Sequence, residues 1–195
     1  MQSITKKIKT FNKGRVPELV KLKYKLISKD VFRFYRGTCH LFYESFSKKM
    51  DWQDNTKCWI TGDLHIENFG SYKGDDHVVY FDLNDFEESA LAPATWELAR
   101  LLTSIHLATK VLNLNETMAQ SLCSVFTVTY IKTLQNGQPL LVDKETSEGL
   151  LKYFLDQVES RKEKTFLKDR VLNEHKKWKL IIDGKKTIQI GRAHV

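Results

Sequence analysis

The sequence predicts a mostly helical α+β fold with one small β-hairpin that carries a metal site. Two observations set the class. Apolar residues recur at helical spacing over long stretches, as at Leu98, Leu102, Ile105 and Leu112, and only short β-branched or aromatic runs break them. A third observation concerns the hairpin. Asp63 and Asn68 lie just before it and Asp85 just after it, so pairing of 69–72 with 78–81 brings Asn68 and Asp85 together.

In chain order, Pro17 suits a first helical position and Leu19, Leu22 and Leu26 share a face, so 17–27 reads as a helix. Ser28 is expected to cap the helical stretch that follows. Aromatic residues crowd positions 31–46: Phe32, Phe34, Tyr35, Phe42, Tyr43 and Phe46. They read as packing, with an aromatic wall for a substrate ring as the alternative. Arg36, before Gly37, interrupts this run. Its guanidinium either forks onto phosphate or carboxylate, or pairs with Glu44. Residues 48–57 read as a polar surface loop, and 58–60 as a short strand.

Lys73-Gly74-Asp75-Asp76 supplies the hairpin turn. Pro93 and Thr95 open a helix in which His106 is expected to be packed. Asn115 caps a helix over 116–135, with Met118, Leu122, Val125, Phe126 and Tyr130 as its apolar stripe and Asn136-Gly137 as its stop. Ser147 is expected to cap a further helix to about 160. The charged stretch 161–177 reads as partly helical, and 178–182 with 187–190 as a hairpin about Asp183-Gly184.

The chemistry gathers at the hairpin. Two carboxylates and an amide in this order are what a phosphoryl-transfer site requires. One carboxylate positions or deprotonates a hydroxyl, while an amide and a second carboxylate hold magnesium on nucleotide phosphates. Asp63 takes the first role, Asn68 and Asp85 the second. Asp82 competes with Asp85, which is preferred because Asp85-Phe86 reproduces the metal-loop pattern. Asn84 and Glu87 are secondary candidates, and His65 braces the loop.

Gly62-Asp63-Leu64-His65 with Asn68 resembles the catalytic loop of aminoglycoside and choline kinases. The longer series is similar to the bacterial domain of unknown function 2252 family. It runs Phe34-Tyr35-Arg36-Gly37, then residues 62–70, then Asn84-Asp85-Phe86-Glu87-Glu88, then Pro93 and Trp96-Glu97-Leu98-Ala99-Arg100-Leu101. The resemblance implies a kinase-like catalytic half that uses magnesium and ATP and passes phosphate to a small-molecule or protein hydroxyl. It also implies that Glu97 braces the catalytic loop, where the phosphotransferases carry Asp. Kinases further need a glycine-rich phosphate loop and a strand lysine. The nine glycines are scattered, and in the resembled family such a segment follows the catalytic motif. Residues 1–189 are therefore expected to be a partial domain, inactive by itself, and 190–195 a non-biological tail resembling a translated sequencing adapter.

Two further readings compete. Gly-Asp-x-His also opens metallophosphoesterase sites, but no earlier Asp-x-His or later Gly-Asn-His accompanies it. A kinase-shaped binding or regulatory protein without turnover stays open as well.

The 195 residues suffice for one domain or one lobe, and 42% are apolar, enough for a core. A net charge of +7 reads as a lysine-rich surface or as attraction to an anionic substrate, and no basic module points to nucleic acid. Cys39, Cys58 and Cys123 form no Cys-x-x-Cys pair and are expected to be reduced and mostly buried. No run approaches the ~20 apolar residues of a membrane span, and the basic N-terminus carries no secretory pattern, so a cytoplasmic location is expected.

Overall fold

The computed structural model describes residues 3–49, 54–168, 170–174 and 177–182. The described chain is mostly helical, with short two-stranded sheets. It divides into two compact units, one of residues 1–70 and 82–140 and one of 71–81 and 141–195.

The first unit opens with α1 (Ile4–Phe11), a helix that the periodicity of the sequence does not predict. Ser3 caps it through the Lys6 N–H, and Ile8 is its buried residue. Helix α2 (Pro17–Ile27) has the expected bounds and its proline at the start. Ser28 closes α2 rather than opening the next helix. The cap of α3 (Val31–Gly37) is Asp30, which accepts from the Arg33 N–H at 2.8 Å. Its carboxylate sits one residue before the helix, where a side-chain oxygen reaches the free N–H groups. Helix α4 (Cys39–Lys49) follows after Thr38.

Strand β1 (Cys58–Ile60) pairs antiparallel with β4 (Ala90–Ala92), a strand too short and alanine-rich to announce itself. Strands β2 (Phe69–Lys73) and β3 (Val79–Leu83) form a second sheet, as the turn chemistry predicts. Helix α5 (Ala94–Val111) begins after Pro93, which offers no side-chain cap. Asp54 and Thr56 cap it instead, accepting from the Thr95 and Ala94 N–H groups at 3.1 and 3.0 Å. Helix α6 (Glu116–Asn136) carries its expected Asn115 cap and ends on Gly137 at φ +65°.

Packing of the two long helices departs from the periodic stripes. The buried face of α5 is Arg100, Leu101, Ser104, Ile105, Ala108 and Thr109, whereas Leu112 is exposed. On α6 only Ala119 is buried, and Met118, Leu122 and Val125 face solvent. Helix α6 packs against α5, and its buried residue is the small Ala119 rather than the apolar stripe. His106 is half-exposed and lies 3.3 Å from Glu116, not packed in the core. Phe42 touches Tyr35, Tyr43 and Phe46, and Trp96 touches Tyr43 and Phe46. The aromatic crowd thus forms a packed cluster.

In the second unit, Phe81 of β3 donates its N–H to Val142 at 2.7 Å and meets Phe154 edge-on. Helix α7 (Gly149–Glu159) buries Leu155. Ser147 does not cap it: its hydroxyl bonds to the Asp143 carbonyl, and Glu148 holds the cap position without a side-chain bond. After α8 (Glu163–Lys168), β5 (Val171–Glu174) pairs antiparallel with β6 (Lys177–Leu180). Strand β6 falls on the expected strand 178–182, and its partner β5 lies in the stretch 161–177, whose expected partial helix is α8. The proposed strand 187–190 and the tail 190–195 lie outside the described residues. All three cysteines are free, and Cys39 and Cys123 are half-buried and Cys58 exposed, so they are less buried than expected.

Candidate functional site

The loop from Thr61 to Asn68 is shaped by backbone chemistry. Gly62 adopts φ +85°, and a Cβ there would stand 1.9 Å from the Glu88 carbonyl oxygen, so only glycine fits. Its own carbonyl accepts from the Tyr43 hydroxyl at 2.5 Å and the Cys39 thiol at 3.3 Å. A 3-10 turn over Ile66–Asn68 closes the loop.

Helix α5 grips this loop with three polar side chains at helical spacing. Glu97 accepts from the Thr61 N–H at 2.5 Å and from its hydroxyl. Arg100 donates from Nε to Asp63 Oδ1 at 2.9 Å, and Nη2 bonds the same oxygen. The Ser104 hydroxyl accepts from the Ile66 N–H at 3.2 Å. Positions i, i+3 and i+7 lie on one helix face, so one rigid element fixes three points of the loop. Sequence reasoning missed Arg100 and Ser104 as site residues. Polar residues at that spacing inside an apolar helix were the signal.

Arg100 is fully buried. Its guanidinium lies 4.1 Å from the Tyr35 ring centroid and 5.1 Å from that of Phe42. The Tyr35 hydroxyl donates to the Arg100 carbonyl at 2.7 Å, and Nη2 donates to the Tyr35 carbonyl at 3.2 Å. Burial pushes the Asp63 carboxyl upward, and the Arg100 guanidinium opposes this without cancelling it.

Asn68 is buried. Its Oδ1 accepts from the His65 N–H at 2.7 Å, and its Nδ2 donates to the Asn84 carbonyl at 3.4 Å. The Asn84 N–H returns a bond to the Asn68 carbonyl at 2.7 Å. Both side-chain ends are thus committed to loop and hairpin base. His65 is 1% exposed, with Nδ1 accepting from the Glu67 N–H at 3.1 Å. Burial, and then the charges of Arg36 and Arg100, hold its pKa down at about 4, so the ring is neutral.

Asp63 and Asp85 border one open cleft of about 640 Å³, together with Arg36, Glu67 and Glu87. Asp85 is exposed and holds φ +71°, a conformation uncommon outside glycine and asparagine. Asn68 does not border the cleft, and neither does Asp82, whose Oδ1 accepts from the Leu83 N–H at 2.7 Å. Arg36 pairs with Glu67, while Glu44 is paired with Lys7 at 2.7 Å. Among the described residues, no group of three His, Cys, Asp or Glu side chains is placed to hold a metal ion. Magnesium commonly takes one or two carboxylates and completes its shell with water and phosphate oxygens. The oxygens of Asp85 and Glu87 fit that chemistry; the Asn68 amide, already bonded at both ends, fits it poorly.

The model of one bacterial family, described as uncharacterized protein conserved in bacteria (DUF2252), matches residues 15–194. The chain belongs to that family. No curated protein and no solved structure matches it. Among the described residues no helix is long and apolar enough to cross a membrane.

Proposed function

We propose that the chain carries the catalytic part of a kinase-like phosphotransferase, which passes phosphate from ATP to a hydroxyl acceptor with magnesium bound. The observation that carries this reading is the shared cleft of Asp63 and Asp85. Asp63 orients the acceptor hydroxyl and receives its proton, and a carboxyl pushed upward by burial is the stronger base. Arg100 fixes its rotamer, so little reorganisation is left for the reaction. Asp85, with Glu87, would hold magnesium, which when bound neutralises the charge on the transferred phosphate. Asn68, first among the expected ligands, instead acts by tying the loop to the hairpin base.

Calorimetric titration with ATP tests this, with magnesium present and with it chelated. Binding should require magnesium and weaken about tenfold or more in Asp85→Ala, the scale of a lost charge-assisted contact. Asp63→Ala should keep the binding. Metal-independent binding, or full affinity in Asp85→Ala, would sink the proposal.

One observation favours a second reading, a kinase-shaped binding protein without turnover. Asp63 Oδ1 already accepts both Arg100 bonds. Magnesium-dependent ATP binding without phosphate transfer to any hydroxyl, measured in a family member that also carries the glycine-rich segment and the strand lysine, would select it.

A further inference from the structure

Asp63 borders a second cavity besides the acidic cleft. It holds about 230 Å³, below the roughly 300 Å³ at which pockets for drug-sized ligands begin, so its occupant is small. Lys23 and Arg36 line both spaces, but the cleft gathers five carboxylates and this cavity only two, and Arg15, His40, Tyr43 and Trp96 make its wall basic and aromatic.

The cations there are poorly compensated. Among the described residues neither Arg15 nor Lys23 forms an ion pair. Both crowd one ring: the Arg15 guanidinium is 5.0 Å and the Lys23 ammonium 5.9 Å from the Phe11 centroid. Burial and the Arg15 charge push Lys23 below the ordinary lysine range. His40 stacks on the same ring at 3.8 Å, and its Nε2 is buried without a hydrogen-bond partner. Of the two carboxylates in the wall, Asp63 is neutralised by Arg100. Arg36, also in the wall, is paired with Glu67, so only Glu88 remains against Arg15, Lys23 and an unsatisfied imidazole nitrogen. Such a set lacks an anion.

Resting on the phosphotransferase reading, we propose that this cavity seats the acceptor, a small hydroxylated anion. Its phosphate or carboxylate lies on Arg15 and Lys23 with a hydrogen bond from His40, and its hydroxyl reaches Asp63. In the transfer, the acceptor oxygen bonds to the terminal phosphorus of the nucleoside triphosphate as the bond to the bridging oxygen breaks. The hydroxyl proton passes to the Asp63 carboxylate, and the nucleoside diphosphate leaves with the bridging electron pair. Asp63, on the wall of both cavities, is then the point where donor and acceptor meet.

The test is calorimetric titration of the 195-residue chain with glycerol 3-phosphate, with D-glycerate and with glycerol, without nucleotide and with magnesium chelated. One or both anions should bind and glycerol should not, and the preference between them identifies the anionic group. Lys23→Gln and Arg15→Gln should each weaken binding about tenfold, and Lys23→Arg should restore most of it. Both substitutions lie at half-buried or exposed positions, and the circular dichroism spectrum checks their folding. Binding of neither anion, equal binding of glycerol, or unchanged affinity in both glutamine variants overturns the proposal. Since metal and nucleotide are absent, that failure leaves the magnesium–ATP reading to its own titration.

Discussion

Arg100 is the residue on which most of the site's order depends. It is buried, bonds Asp63 through two nitrogens, and lies over two aromatic rings. Removing one member of a buried pair strands the other, at a cost of about 3–5 kcal/mol. Arg100→Ala should therefore lower urea-derived stability by that order, and a loss under ~1 kcal/mol would show the pair to be dispensable. His65 adds a pH dependence. Its folded pKa of about 4 lies below the ordinary 6.5. Between those values the unfolded chain binds the proton and the folded chain does not, so stability rises with pH. Its contribution is complete above about pH 6.5 and is lost as pH falls through about 4, a span on the order of 3 kcal/mol. His65→Asn keeps an acceptor for the Glu67 N–H but has no proton to gain. Its stability should vary less between pH 4.5 and 7 than that of the parent, and equal slopes would show that other groups govern this range.

At the scale of elements, two glycines with positive φ separate backbone strain from steric exclusion. Gly137, past the end of α6, has φ +65° and open space where a Cβ would stand, with nothing within 4 Å. Gly62 has φ +85° and the Glu88 carbonyl where its Cβ would go. Gly137→Ala should cost only the left-handed penalty, roughly 1 kcal/mol. Gly62→Ala should cost several times more, because the loop must separate from the residues leading into β4. Equal melting temperatures for the two variants would refute this ordering. The same loop shows which parts of the site the sequence discloses. Asp63 and Asp85 stand out as carboxylates beside short strands, and the turn at Gly74 makes their hairpin legible. Of the grip from α5 only Glu97 is singled out, by the family resemblance, while Arg100 and Ser104 read as ordinary polar positions until the loop lies against them.

On the scale of the whole molecule, each compact unit has its own core. Leu101 is covered in the first and Leu155 in the second. Truncating either to alanine should cost about 2–5 kcal/mol through lost burial and a residual cavity. Hydrogen exchange checks each variant within its own unit. Leu101→Ala should deprotect peptides from α5, and Leu155→Ala peptides from α7. Unchanged protection in α7 after Leu155→Ala would mean that Leu155 does not hold that unit together.

Taken by itself, the sequence determined the features that close over a few residues. Pro17 starts α2, Asn115 and Gly137 bound α6, and the turn at Gly74 joins β2 to β3, because caps, fixed φ values and turn bonds act within one helical turn or one hairpin. The tertiary structure decided which faces are buried and who partners the site. Periodicity placed α5 on Leu98 and Leu102, yet packing turned Arg100 and Leu101 inward. It also bound the Asn68 side chain to the His65 N–H and the Asn84 carbonyl and sent Arg36 to Glu67. Asp63 and Arg100 are 37 positions apart. No local preference encodes such a pair, and it forms only once burial of the surrounding aromatic rings makes a desolvated carboxylate and guanidinium each other's best partner.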